Sequence, residues 1–117
     1  SGVGPITYLM GLKQSLVCSV KTTSGYSRSG TMYVAEGKVR GNFAASSMID
    51  DGAYLYAWMT GASKGLKLLA SSASNGSAIA TNGGVDPATD LSYSCNPWSE
   101  DAQVFIPPST VLFSNTL

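Results

Sequence analysis

The sequence predicts a mainly β fold of the α+β class: an antiparallel sheet or half-barrel with a short N-terminal helix packed on one face. Three observations carry this. From Leu16 onward, apolar and polar residues alternate with period two over several short runs, and turn signals rich in Gly separate those runs. Helical spacing of apolar residues occurs only near the start, at Ile6, Leu9, Met10 and Leu12 behind Pro5. A pure β-sandwich is the alternative packing of the same strands.

Each element can be justified in order. Residues 1–15 hold the helix, which Gly11 weakens. Residues 16–70 read as a β-meander. In its first strand Leu16, Cys18, Val20 and Thr22 share one face, while Ser19, Lys21 and Thr23 share the other. A turn-rich stretch from Ser24 to Gly30 leads into a strand from Thr31 to Ala35, and Glu36-Gly37 reverses the chain into Lys38–Ala44. There Val39, Gly41 and Phe43 alternate with Lys38, Arg40 and Asn42, the pattern of a half-buried antiparallel strand. Met48 and Ile49 begin a further strand, and Asp51-Gly52 is a hairpin signal because glycine accepts positive φ at no steric cost.

The run Ala53–Met59 puts Tyr54, Tyr56 and Trp58 on one face and Leu55, Ala57 and Met59 on the other. A strand heavy on both faces lies centrally in a sheet, or turns its aromatic face to a helix or a ligand. Residues 61–65 read as a loop, and 66–70 as a strand or a helical turn. Residues 71–84 are rich in Ser, Ala, Asn and Gly and read as a flexible surface loop. The C-terminal segment, residues 85–117, offers Asp86-Pro87 and Ser99 as caps of single helical turns, then Pro107-Pro108 as a break before a final strand over Thr110–Ser114.

The 117 residues suit a single domain with a real hydrophobic core. Charged residues make up 12 % of the chain, against roughly 25 % in average soluble domains. Few surface charges resist association poorly. No apolar run approaches the roughly 20 residues of a membrane-spanning helix, so no transmembrane segment is expected. Ser1 is not an initiator, which implies processing or trimming of the chain.

The two cysteines, Cys18 and Cys95, favour a disulfide and hence an oxidising, exported location; two buried free thiols are the alternative. The bridge would close a loop of roughly 80 residues and so stabilise the fold by constraining the unfolded chain. No C-x-x-C accompanies them, which argues against redox and zinc roles.

The chain contains no histidine, which removes Ser-His-Asp and Cys-His catalysis together with the commonest zinc sites. Gly61-Ala62-Ser63-Lys64-Gly65 matches G-x-S-x-G, but that elbow works beside a histidine at the top of a large α/β sheet. The carboxylate pairs Asp50/Asp51 and Glu100/Asp101 are expected to be solvated turn residues, since glycoside hydrolysis needs two carboxyls facing across a cleft. With Asp86 and Asp90 these acids show no EF-hand spacing. The reading is of a non-enzyme, with no catalytic residue, cofactor or metal assigned. Residues 1–40 carry five basic side chains and one acid, and the remainder two basic and six acidic, so net charges of +4 and −4 either pair within one molecule or meet head to tail in an assembly. Nucleic-acid binding is not expected from this balance. Asn75-Gly76-Ser77 matches the N-glycosylation sequon.

Three stretches carry a resemblance: residues 30–43, residues 48–58, and Tyr93-Ser94-Cys95-Asn96-Pro97-Trp98 with Phe105-Ile106-Pro107-Pro108. They resemble small exported bacterial proteins of unassigned activity. Over residues 30–60, a strand followed by G-K-x-R-x-x-F and D-G-x-x-x-Y-x-W strands is similar to periplasmic lipoprotein carriers of the half-barrel, LolA-like type. That likeness implies a concave face taking an acyl chain, with Phe43, Tyr54, Tyr56 and Trp58 as wall residues. The chain is shorter than those carriers and has fewer strands.

Two functions follow as expectations. One is an exported structural or self-associating surface protein, with a second copy or another protein as partner. The other is a binding module for lipid or another apolar ligand.

Overall fold

The computed structural model describes residues 2–23, 28–70, 85 and 89–114. The elements in chain order are β1 (Gly2–Pro5), α1 (Ile6–Gly11), β2 (Leu16–Thr22), β3 (Ser29–Ala35), β4 (Lys38–Phe43), β5 (Ser46–Asp50), β6 (Tyr54–Met59), β7 (Lys64–Leu69), β8 (Asp90–Pro97), a 3-10 helix (Ala102–Phe105) and β9 (Leu112–Ser114). The nine strands form one open sheet in the order β1-β8-β2-β3-β4-β5-β6-β7-β9. Every neighbouring pair is antiparallel except β7 and β9, which run parallel. The fold is therefore the mainly β, antiparallel-rich sheet with a short N-terminal helix that the alternation predicts.

Turn chemistry sets the meander. Glu36 and Gly37 both adopt positive φ, 51° and 74°, as a two-residue hairpin whose twist matches its strands requires. At the β5–β6 hairpin the Asp51 carboxylate accepts the N–H groups of Ala53 and Tyr54 at 2.9 and 2.7 Å, and Gly52 takes φ 90°. Two backbone donors that the ladder leaves over are thereby satisfied.

Register then sorts side chains onto two faces. Cys18, Met32, Gly41, Met48, Ala57 and Leu66 lie in one cross-strand row, and Val34, Val39, Asp50, Leu55 and Leu68 in another, on the face where α1 packs. Ile6 and Leu9 of the helix are fully buried in a core with Cys18, Val20, Met32, Val34, Val39, Met48, Val85 and Leu91. The helix follows Pro5 directly, but Gly2–Pro5 is itself a strand paired with β8, which the sequence reading did not anticipate.

The far face carries Tyr33, Arg40, Ile49, Tyr56 and Trp58, and the segment after β8 crosses it. Trp98 meets Tyr33 edge-on at 5.1 Å, and its indole N–H donates to the Val34 carbonyl at 3.4 Å. Asp101, rather than Ser99, caps the 3-10 helix by accepting the Gln103 N–H at 3.0 Å. Phe113 then wedges between Tyr56 and Trp58, at 5.3 and 5.5 Å, both edge-to-face. Its ring lies on Gly65, where a Cβ would come within 2.5 Å of it. The final strand starts at Leu112 rather than Thr110, and β7 starts at Lys64 and is strand throughout.

The expected flexible loop over residues 71–84, its Asn75 sequon, the Asp86-Pro87 turn and residues 24–27 of the first turn lie outside the described residues.

Candidate functional site

The disulfide is the best-defined chemical feature. Cys18 and Cys95 are directly opposite on β2 and β8 and are bonded to each other, with no free cysteine. A bond between strands 77 residues apart in sequence locks β8 between β1 and β2, and it belongs to a non-reducing environment. No helix among the described residues is long and apolar enough to cross a membrane.

The four aromatic residues proposed as a ligand wall do not converge. Phe43 is on the helix side, opposite Gly30 and against the core around Met32. Tyr56 and Trp58 are on the far side, buried to 9 % and 8 % residual exposure beneath Phe113 and Val111. Tyr54 lies at the end of the same row, partly exposed, under the Lys67 ammonium at 4.2 Å. β6 is an interior strand, two places from the β9 edge, and its aromatic face meets the chain's own C-terminal segment.

The acidic pairs separate as well. Asp50 is not a solvated turn residue: it is 4 % exposed on the helix side, where its carboxylate accepts the Gly52 N–H at 2.9 Å. Burial raises its pKa, the Gly52 bond opposes that shift, and the charge of Asp51 adds to it. Asp50 lines a small cleft with Thr7, Met10, Gly52 and Ala70. Glu100 takes the Ser15 hydroxyl at 3.3 Å, and hydrogen bonding with the neighbouring Glu36 raises its pKa. Asp101 is occupied in capping, so neither adjacent pair faces across a cleft. The G-x-S-x-G stretch forms the β6–β7 turn and runs into a strand, with the Ser63 carbonyl accepting the Leu112 N–H at 2.9 Å.

Two features missed in the sequence remain. The first is a cleft of about 370 Å³ on the far side, lined by Arg40, Trp58, the turn Gly61–Ser63, Pro108, Thr110 and Val111. Arg40 Nε donates to Asn42 Oδ1 at 3.0 Å, Nη1 donates to the Val104 carbonyl at 3.3 Å, and the guanidinium carbon stands 5.4 Å from the Trp58 ring centre. Desolvation lowers the Arg40 pKa, with the nearby Tyr33 opposing. Alternation alone places Arg40 on a polar face; a guanidinium in register, through Ile49, with the Tyr56 row was the available signal.

The second feature is the pair of sheet edges. β1 and β9 are the outermost strands of the sheet order. Neither strand contains a charged residue, and each exposes one aliphatic side chain, Val3 at 63 % and Leu112 at 71 %. Natural sheets guard edges with Lys, Pro, a bulge, a covering element or very short strands; here Pro5 ends β1, and the two strands are only four and three residues long.

The fold and these surfaces define a disulfide-stapled, open-sheet domain closed on one face by a helix and on the other by its own C-terminal segment. No family model, curated protein or solved structure matches the chain.

Proposed function

We propose that this chain is an exported, non-enzymatic structural domain that self-associates through the two ends of its sheet. The observation that carries the reading is the pair of uncharged edges, β1 and β9, at opposite ends of one open sheet. Adding β1 of one copy to β9 of the next is a heterologous contact, and heterologous contacts propagate into filaments or close into rings. The low charge of the chain leaves little repulsion to prevent this. The disulfide supports the extracytoplasmic location.

The strength expected is modest. A β1–β9 contact offers three or four residues a side, hence about three or four backbone hydrogen bonds at roughly 0.5–1.5 kcal/mol net each, with Val3 and Leu112 adding apolar burial. Association entropy opposes most of this, so assembly depends on high local concentration. The lipid-carrier reading gains less support: Ile6 and Leu9 fill the helix side, and Phe113 fills the aromatic row opposite.

Sedimentation velocity on the oxidised protein over a wide concentration range tests the proposal. A weight-average mass that climbs past that of a dimer, and falls back to monomer in Val3→Lys or Leu112→Lys, is expected. A monomer at millimolar concentration sinks it, and lipid retained in native mass spectrometry of the purified protein would favour the carrier reading instead.

A further inference from the structure

The geometry points to a binding site for a small carboxylate in the far-side cleft, where the Arg40 guanidinium is the recognition group. An arginine carries five N–H donors in a rigid fork. Two are taken, by Asn42 Oδ1 and the Val104 carbonyl, and both acceptors are neutral. Three remain, and no carboxylate among the described residues pairs with Arg40. Arg40 is part-buried, and the desolvation that lowers its pKa is relieved by any anion brought against the guanidinium. A guanidinium held near the face of a tryptophan and anchored at two nitrogens is organised for such a ligand.

The rest of the cleft specifies the ligand. A carboxylate matches the remaining fork with two parallel hydrogen bonds. The hydroxyl-bearing residues Ser63 and Thr110 line the same space. Its volume, about 370 Å³, sits at the small end of ligand pockets, which run from roughly 300 to 1,000 Å³. An acyl chain does not fit this description. A free carboxylic acid of metabolite size or an acidic sugar does. The cleft borders the β9 edge, since Val111 adjoins Leu112 and the Ser63 carbonyl accepts its N–H, so ligand binding is read at a concentration where the protein sediments as a monomer.

Titration of the oxidised, uniformly labelled full chain by NMR tests this, reading the Arg40 Nε–Hε and Trp58 indole N–H resonances. Sodium acetate and sodium glucuronate are compared with sodium phosphate and with sodium chloride at matched ionic strength. Saturable shifts of both resonances with the carboxylates are expected, and none with chloride. Tighter binding of acetate identifies a free acid as the source of the carboxylate, and tighter binding of glucuronate an acidic sugar. Arg40→Lys keeps the charge but loses the fork, and should weaken binding about tenfold or more. Should that variant unfold, Thr110→Val and Ser63→Ala, which leave β4 intact, carry the test with losses of about threefold to tenfold each. Shifts that follow ionic strength alone, a preference for phosphate, or affinity unchanged in all three variants would overturn the assignment.

Discussion

Phe113→Ala probes how the far face is closed. The ring makes two edge-to-face contacts, with Tyr56 and Trp58. Each is worth about 0.5–1.5 kcal/mol beyond area burial, and full truncation of a buried Phe costs about 3–5 kcal/mol. Phe113 is half-buried on a three-residue strand, so the expected loss is about 2–3 kcal/mol. Gly65→Ala attacks the same contact from below, since its Cβ would lie 2.5 Å from the Phe113 ring and 3.0 Å from the Ala57 carbonyl. Overpacking of this kind costs about 1–3 kcal/mol. The two changes must then couple: once Phe113 is gone, the added methyl meets only the Ala57 carbonyl. Urea unfolding of the oxidised wild type, both single variants and the double variant measures this cycle, with an expected coupling of at least about 1 kcal/mol. The amide of Leu112, bonded to the Ser63 carbonyl, should exchange about thirtyfold faster or more in Phe113→Ala. Additivity within about 0.5 kcal/mol, or a Phe113→Ala loss below that value, would refute the picture of the ring as the wedge that seats β9.

Further outcomes follow from the same structure. Reducing the Cys18–Cys95 bond should lower stability by about 4.5 kcal/mol, the chain-entropy value for a link spanning 77 residues; an unchanged urea midpoint under reductant would contradict it. Thiol titration of the unfolded, unreduced protein should find no reactive sulfur. Because burial raises the Asp50 pKa, its contribution to stability is fully present below the ordinary carboxylate range and is lost as pH rises through the raised value. Asp50→Asn keeps an acceptor for the Gly52 N–H, so it should stabilise the protein at neutral pH by a few tenths to about 1 kcal/mol. That gain should vanish in acid, and a pH-independent gain or a loss at neutral pH would speak against the cause given.

What could be read from the sequence is what local alternation and turn chemistry determine. β2, the β3–β4 hairpin and β6 follow from period-two patterning, and Glu36-Gly37 and Asp51-Gly52 announce their turns. Strand order is different in kind. β8 enters between β1 and β2 through pairing with β2 across 77 residues, and only the second cysteine signalled where it goes. β9 runs parallel to β7, which no hairpin signal can announce. Asp50 reads as a turn residue because Asp51-Gly52 follows it, yet its register with Val39 and Leu55 turns it inward. Arg40 reads as solvated because its burial depends on a segment more than 60 residues later crossing above it. The proposed aromatic wall failed to converge on a point of parity: Phe43 and Arg40 face opposite ways on β4, and Arg40 shares its face with Tyr56 through Ile49.

The claim that β1 of one molecule adds to β9 of another can be tested directly by mixing two variants, each with one added cysteine, under mild oxidation. Val3→Cys and Leu112→Cys place one thiol on each exposed edge position, leaving the native disulfide intact. An equimolar mixture should yield a heterodimer cross-linked between positions 3 and 112 far beyond the twofold excess over either homodimer that random pairing gives. A statistical 1:2:1 distribution, or no cross-link at concentrations where the wild type sediments above monomer mass, would contradict head-to-tail association through the sheet edges.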